Sequence, residues 1–356
     1  IAVDADSHLV DVENHADINI SGPTAGDTNS AFIGGLVAHH ANASNRTNCS
    51  NSGNINFSTT STPTSIAIGG VFMSGVRLNC LNCHNSGNIT VGSFGLNTAG
   101  NKDANFSCGG IFARLMDADT HVTLSNCTNS GAISVDGSNC DGTISVGGIF
   151  ANMTANATTL QVVGDSANNI GLVNSGNITV KGTGKTVSTT TPWLTVGGIF
   201  AQTNKAFVKS DKEWSGIVAN SGNVDVTIQI DQNAYIGGLI GLINSTAAGA
   251  ALSGANFTNT GNVTCSGVVP TTHRVGGLVG YTKSHITNAS VHCDIQAYKF
   301  TTLGMVTGGE RGDASIVSNC KLGGRIATNS ELKENADGDG VIVVPIWNDI
   351  DESNFY

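Results

Sequence analysis

The sequence predicts an all-β chain, folded as a right-handed parallel β-solenoid of about eight repeats averaging about 39 residues. Three observations carry this: a composition dominated by turn formers, two short words that recur along the chain, and one column of the repeat that never holds a charge. Gly and Asn together make up nearly a quarter of the 356 residues, while charged residues are 12% and aromatic residues 5%. Short Val, Ile and Phe runs lie between Gly-, Asn- and Ser-rich turns, which is how many short strands read. Helix-period patterns are nearly absent, and the low charge separates the chain from disordered sequences.

The first word is N-[ST]-G-[NA]-[IV], at residues 51–55, 85–89, 129–133, 174–178, 220–224 and 259–263. The second is an apolar residue or Cys, then Gly-Gly, then two apolar residues. Its glycine pairs begin at Gly34, Gly69, Gly109, Gly147, Gly197, Gly237 and Gly276, with a decayed copy at Gly308. Aligned on the last residue of the first word, the position six residues upstream holds Val12, Cys49, Cys83, Cys127, Leu172, Val218, Phe257, Ala289 and Cys320. Such a column reads as an internal ladder, with equivalent residues stacked at about 4.8 Å. The Asn and Gly around it suit corners that need positive φ, and stacked Asn amides can hydrogen-bond from coil to coil. Apolar residues fill both alternating positions around the glycine pair. Either that strand is buried on both faces or the pair is a bulge that resets the register; the bulge is the preferred reading.

Two copies of the second word read G-L-x-G, at residues 238–241 and 277–280. With the preceding N-[ST]-G-N-V word, they resemble the GLUG-motif repeats of secreted, adhesin-like surface proteins. The resemblance covers the repeat array, residues 12–326, and implies a secreted scaffold with no catalytic residue carried over. The other copies depart from the motif, with Phe or Val in its last positions.

Location follows from a different count. Fifteen N-x-S/T acceptor sites occur, at Asn19, Asn42, Asn45, Asn48, Asn56, Asn88, Asn105, Asn126, Asn152, Asn156, Asn177, Asn244, Asn256, Asn262 and Asn288. That is roughly twice what random placement of these residues gives, and points to an N-glycosylated extracellular or cell-surface protein. The competing reading is a by-product of Asn- and Thr-rich turns. No window of about 18 apolar residues exists, so no membrane-spanning helix is expected. The opening at Ile1 shows no signal-peptide pattern, as expected if such a peptide has been removed.

Nine cysteines in a secreted chain suggest disulfides. Cys49 with Cys83, and Cys293 with Cys320, are the candidate pairs, because stacked neighbours fall within the Cα separation a disulfide permits; the alternative is a ladder of buried free thiols. The C-x-x-C-H pattern at residues 80–84 matches haem attachment, but the repeat already accounts for it. No cofactor is required by the sequence. Calcium is the one candidate: Asn335, Asp337 and Asp339 place oxygen ligands at alternate positions, although Ile346 stands where an EF-hand needs Glu.

An enzyme is not expected. Carbohydrate-active β-helices need paired carboxylates, and the candidates here, Asp117 with Asp119 and Asp136 with Asp141, sit in loops between words. The net charge of −10 is concentrated at the ends. Residues 1–30 hold six acids and no Lys or Arg, and residues 331–356 hold seven acids against Lys333. The near-neutral middle excludes a nucleic-acid-binding stripe. The chain therefore divides into a solenoid, residues 1–330, and an acidic C-terminal tail, residues 331–356, whose strand-forming run at 341–347 must dock somewhere. Docking on the next subunit gives a head-to-tail filament, with a divalent cation screening the acidic ends. A monomeric adhesin repeat region is the alternative, and a carbohydrate-active enzyme the second alternative.

Overall fold

The structure, a computed structural model, describes residues 8–327 apart from segments 23–29, 39–43, 76–77, 99–104, 116–120, 154–158, 185–191, 204–214, 231, 245–250, 253–255, 268–272, 283–284, 298–301 and 310–316. Among the described residues there is no helix, and the strands pair in parallel. One turn of the chain shows the plan. Leu78–Asn85, Ile89–Val91, Asn105–Gly109 and Phe112–Leu115 lie in four successive sheets. The chain then returns to the first sheet, where His121–Ser125 and Cys127–Asn129 lie beside Leu78–Asn85. One repeat therefore makes one coil of a parallel β-solenoid. The first and second sheets each run through a path of nine strands, the third through eight and the fourth through six. Nine strands at about 4.8 Å span roughly 40 Å.

The uncharged column is an internal ladder. Val12, Cys49 and Cys83 are register partners, and Cys127, Leu172, Val218, Phe257 and Ala289 continue the stack. The pairs Thr128 with His84 and Ser290 with Lys321 place Cys127 beside Cys83 and Cys320 beside Ala289. A second apolar column, Ile18, Ile55, Ile89, Ile133, Ile178, Val224, Val263, Ile295 and Ile326, runs through the second sheet. Phe72, Phe112, Phe150 and Phe200 stack at centroid separations of 5.2, 4.6 and 5.8 Å in the fourth. Each column buries identical or similar side chains against one another, so the solenoid interior is continuous from coil to coil.

The glycine pair corrects two expectations. It is a corner, not a bulge: Ser65–Gly69 ends the third-sheet strand and Phe72–Gly75 opens the fourth, while Gly69, Gly109 and Gly147 remain in register. A Cβ on Gly69 would lie 1.8 Å from the Phe72 carbonyl oxygen, so only glycine allows the chain to fold back this sharply. The strand before the pair is buried on both faces. Ile66 and Ile68 enter the main core, and Ala67 packs with Met73 and Ala113 on the other side. A register shift does occur elsewhere, in the first sheet between Ile170 and Leu172.

The decayed copy was also placed one turn of sequence too late. Gly276 pairs in register with Gly304, so the eighth copy is Gly304-Met305, with Met in place of the second glycine. Gly308 follows the bridge between Val279 and Thr307 and belongs to the fourth side of the coil.

Candidate functional surfaces and buried sites

Three ladders account for the asparagines. The innermost joins Asn14, Asn51, Asn85, Asn129, Asn174, Asn220 and Asn259. Each Nδ2 donates to the Oδ1 of the next Asn, at 2.7–2.9 Å, and also to the carbonyl two residues along its own chain. The ladder terminates on the Gly277 carbonyl at 2.8 Å. From Asn51 onward these amides are fully buried. The ladder also explains why the two words travel together. A Cβ on Gly110 would fall 2.1 Å from the Gly148 carbonyl oxygen and 2.5 Å from Asn129 Cγ, so the second glycine of each pair makes room for the amide.

The second ladder lies at a left-handed corner. Asp11, Asn48, Asn82, Asn126, Asn288 and Asn319 all have φ near +50°. Asn48, Asn82 and Asn126 each donate to the acidic or amide side chain one coil back, as Asn319 does to Asn288. The third ladder precedes the second-sheet strands. The side-chain oxygens of Asp17, Asn54, Asn88, Asn177, Asn223, Asn262 and Asp294 each accept a backbone N–H from the following coil.

Six of the fifteen acceptor sites lie in these ladders. In Asn88-Ile89-Thr90, the Asn is a corner, the Ile points into the core and the Thr points out; Asn177 and Asn262 repeat this. In Asn48-Cys49-Ser50 the left-handed Asn is followed by the core column and an outward Ser, as at Asn126 and Asn288. Asn19 and Asn56 pair on the outside of the second sheet, and Asn45 accepts from Asn79 on the first. Asn105 accepts from Ser65, Asn152 has a buried Oδ1, the Asn244 backbone donates to Thr203, and Asn256 is exposed at a strand start. Asn42 and Asn156 lie outside the described residues. Nδ2 of Asn48, Asn56 and Asn126 donates to a side chain one coil back, whereas Asn88, Asn177 and Asn262 use Oδ1 and leave Nδ2 toward solvent.

All nine cysteines are buried with free thiols, so neither the Cys49–Cys83 nor the Cys293–Cys320 bridge is present. The reason is directional. In-register parallel neighbours send their side chains out side by side, keeping Cβ atoms near the strand spacing instead of converging to the ~3.8 Å a disulfide requires. Burial pushes the Cys293 thiol up to about 11, and pushes Cys108 and Cys265 up as well.

Three arginines on aromatic rings, Arg46 buried and Arg114 and Arg274 partly so, were not singled out by the sequence. Arg46 is 1% exposed and lies over the Phe72 ring at 5.5 Å, beside Cys49, Cys80 and Cys83. Arg114 spans the strands over Phe32 and donates to Ser65 Oγ at 2.6 Å; burial lowers its pKa to about 10. Arg274 lies 4.6 Å from the Tyr281 ring centre. Their columns do not mark them: Arg46 aligns with Leu9 and Cys80, Arg114 with Ser74 and Asn152, and Arg274 with Tyr235 and Thr302.

The candidate carboxylates are structural where described. Asp136 is raised by partial burial but lowered more by hydrogen bonds from Ser138 and by Lys181, 3.9 Å away, so it sits below its ordinary value. Asp141 accepts the Leu96 N–H at 3.1 Å. Asp117 and Asp119, the calcium candidates Asn335, Asp337 and Asp339, and the 341–347 run lie outside the described residues. Fold and columns together define the class of this chain as a parallel β-solenoid whose coils are joined by amide ladders. It matches no family model, and comparison with curated proteins and with solved structures returned no match.

Proposed function

We propose that this chain is an extracellular structural protein, N-glycosylated on its outer faces, that assembles head to tail into a surface filament or fibrous coat. The observation that supports this is the chemistry of the two end coils, which occupy the same columns. At one end of the described coils are Val12 and Ile18, and at the other Cys320 and Ile326, so apolar columns run into both outermost described coils. Parallel edges that share a register are templates for another coil.

Charge adds direction. The exposed acids of the first coil, Glu13 and Asp17, stand in the columns that end at Lys321 and Arg325 in the last. Stacking the last coil of one molecule under the first coil of the next sets Lys321 against Glu13 and Arg325 against Asp17. This attraction between the described coils offsets the repulsion expected from the acidic ends. The GLUG-like words fit the same role, because a scaffold repeat needs corners and columns but no reactive group.

Electron microscopy and sedimentation of the full chain, with calcium and with chelator, test the reading. Filaments are expected, and replacing both Lys321 and Arg325 by Glu should abolish them. Adding Glu13→Lys and Asp17→Lys to that variant should restore them. Monomers of the unmodified chain in both conditions sink the proposal and favour a monomeric adhesin.

A further inference from the structure

Four of the nine thiols gather in one place, and the fold explains how. On a regular strand, residues three apart point to opposite faces. Between Cys80 and Cys83, however, Asn82 takes the left-handed conformation at φ +53°, which resets the alternation and turns both side chains inward. Arg46 and Cys49 hold these two positions one coil earlier, and Leu124 and Cys127 one coil later. Only this coil carries Cys at both positions. The Cys80 and Cys83 sulfurs are 2.6 Å apart, well inside ordinary nonbonded contact of about 3.5–4.0 Å and near the ~2.05 Å of a disulfide. Both are fully buried, with Cys49 and Cys127 stacked on either side of Cys83.

We propose that Cys80 and Cys83 are a disulfide-forming pair that closes the left-handed corner of the third coil. Burial holds both thiols well above their ordinary range in the folded chain, so the thiolates that carry disulfide exchange form while this coil is still open to solvent. The co-reactant is a small-molecule disulfide. One thiolate attacks it and releases a thiol, leaving a mixed disulfide; the second thiolate attacks the protein-bound sulfur and releases the other thiol. The pair loses two protons and two electrons, and the small disulfide is reduced to two thiols. Cys49 and Cys127 also reach Cys83 from the coils on either side, but in-register parallel neighbours keep their Cβ atoms near the strand spacing, which favours Cys80 as the partner. Burial places the exchange before the neighbouring coils close, and thereafter shields the bond.

The test is refolding of the full chain in a buffer of oxidised and reduced small-molecule thiol, followed by denaturation and alkylation. All but two of the nine cysteines should react without reductant, and all nine with it. The peptide spanning residues 78–102 should be lighter by two hydrogens before reduction. The folded protein should keep the bond in reductant that cleaves it once denaturant is added. Full alkylation of the unreduced refolded chain overturns the proposal, as does linkage of Cys83 to Cys49 or Cys127. Cys80→Ser separates local from stacked pairing: all eight remaining thiols should alkylate, and a new bridge from Cys83 in that variant also overturns it.

Discussion

The coils that carry the buried amide ladder and the last two coils are built on the same columns but under different constraints. From Asn51 to Asn259 every coil supplies an amide to the interior, and every coil keeps a full Gly-Gly corner. In the last two coils Val291 and Leu322 take the amide position. The coil of Asn259 keeps its second glycine, Gly277, against Val291 of the next coil, and the coil of Val291 carries Met305 instead. Gly277 persists because a Cβ there would still lie 2.3 Å from the Met305 carbonyl oxygen. The Met305 side chain is partly buried against the main core. The glycine pair is therefore two requirements in one word: the first glycine serves the corner, and the second clears the next coil's carbonyl and, where the ladder runs, its amide.

Substitutions break this comparison in a graded way. The largest effect is expected at Gly110→Ala, where the new Cβ meets a backbone oxygen at 2.1 Å. Loss of more than about 4 kcal/mol, or failure to fold, should follow in denaturant unfolding, whereas Met305→Ala should cost about 1–2 kcal/mol. Next is Asn129→Leu. It strips the acceptor from Asn85 and the donor from both Asn174 and Gly131, so about 3–5 kcal/mol should be lost. Val291→Ala, at the equivalent position, should show only the smaller loss of two buried methyl groups. Equal losses at the two positions would dissolve the distinction between the regions.

Alkaline pH should sharpen it. The Cys293 thiol is held at about 11 against an ordinary 9.0, so its contribution to stability is complete below pH 9 and is lost as pH rises toward 11. That shift corresponds to about 2–3 kcal/mol, measurable as a fall in Tm across this window and reduced in Cys293→Ala. The smallest effect belongs to the end coil. Arg325 pairs with Asp294 at 2.6 Å but is largely exposed, so Arg325→Ala should change monomer stability by less than about 1 kcal/mol. Glycan mapping addresses the outer ladders: occupancy should be higher at Asn88, Asn177 and Asn262 than at Asn48, Asn56 and Asn126, where the acceptor nitrogen already donates to a side chain one coil back.

Much of this was legible in the residues. The core column from Val12 to Cys320 was readable because a stacked position tolerates size changes but no charge. Asn stacking was readable from the recurrence of the first word. The role of the second glycine was not, since its partner Asn lies elsewhere on the coil and only closure of the turn brings them together. The eighth glycine word was misread at Gly308 for the same reason: Gly304-Met305 matches by register and not by spelling. The acceptor-site excess also changes meaning. A corner Asn, an inward apolar residue and an outward Ser or Thr spell the glycosylation triplet as a consequence of the solenoid path.

By itself, the sequence determined that this protein is all-β, that it repeats, and which residues face inward, because those follow from local periodicity and from the exclusion of charge from a stacked core. Only the tertiary structure decided that one repeat makes one coil, that the glycine pair is a corner, and that Cys83 closes on Cys80 of its own strand. Those depend on the direction in which side chains leave the backbone. Direction is set by single left-handed residues such as Asn82 and by the register between coils, neither of which is written in any one segment of the chain.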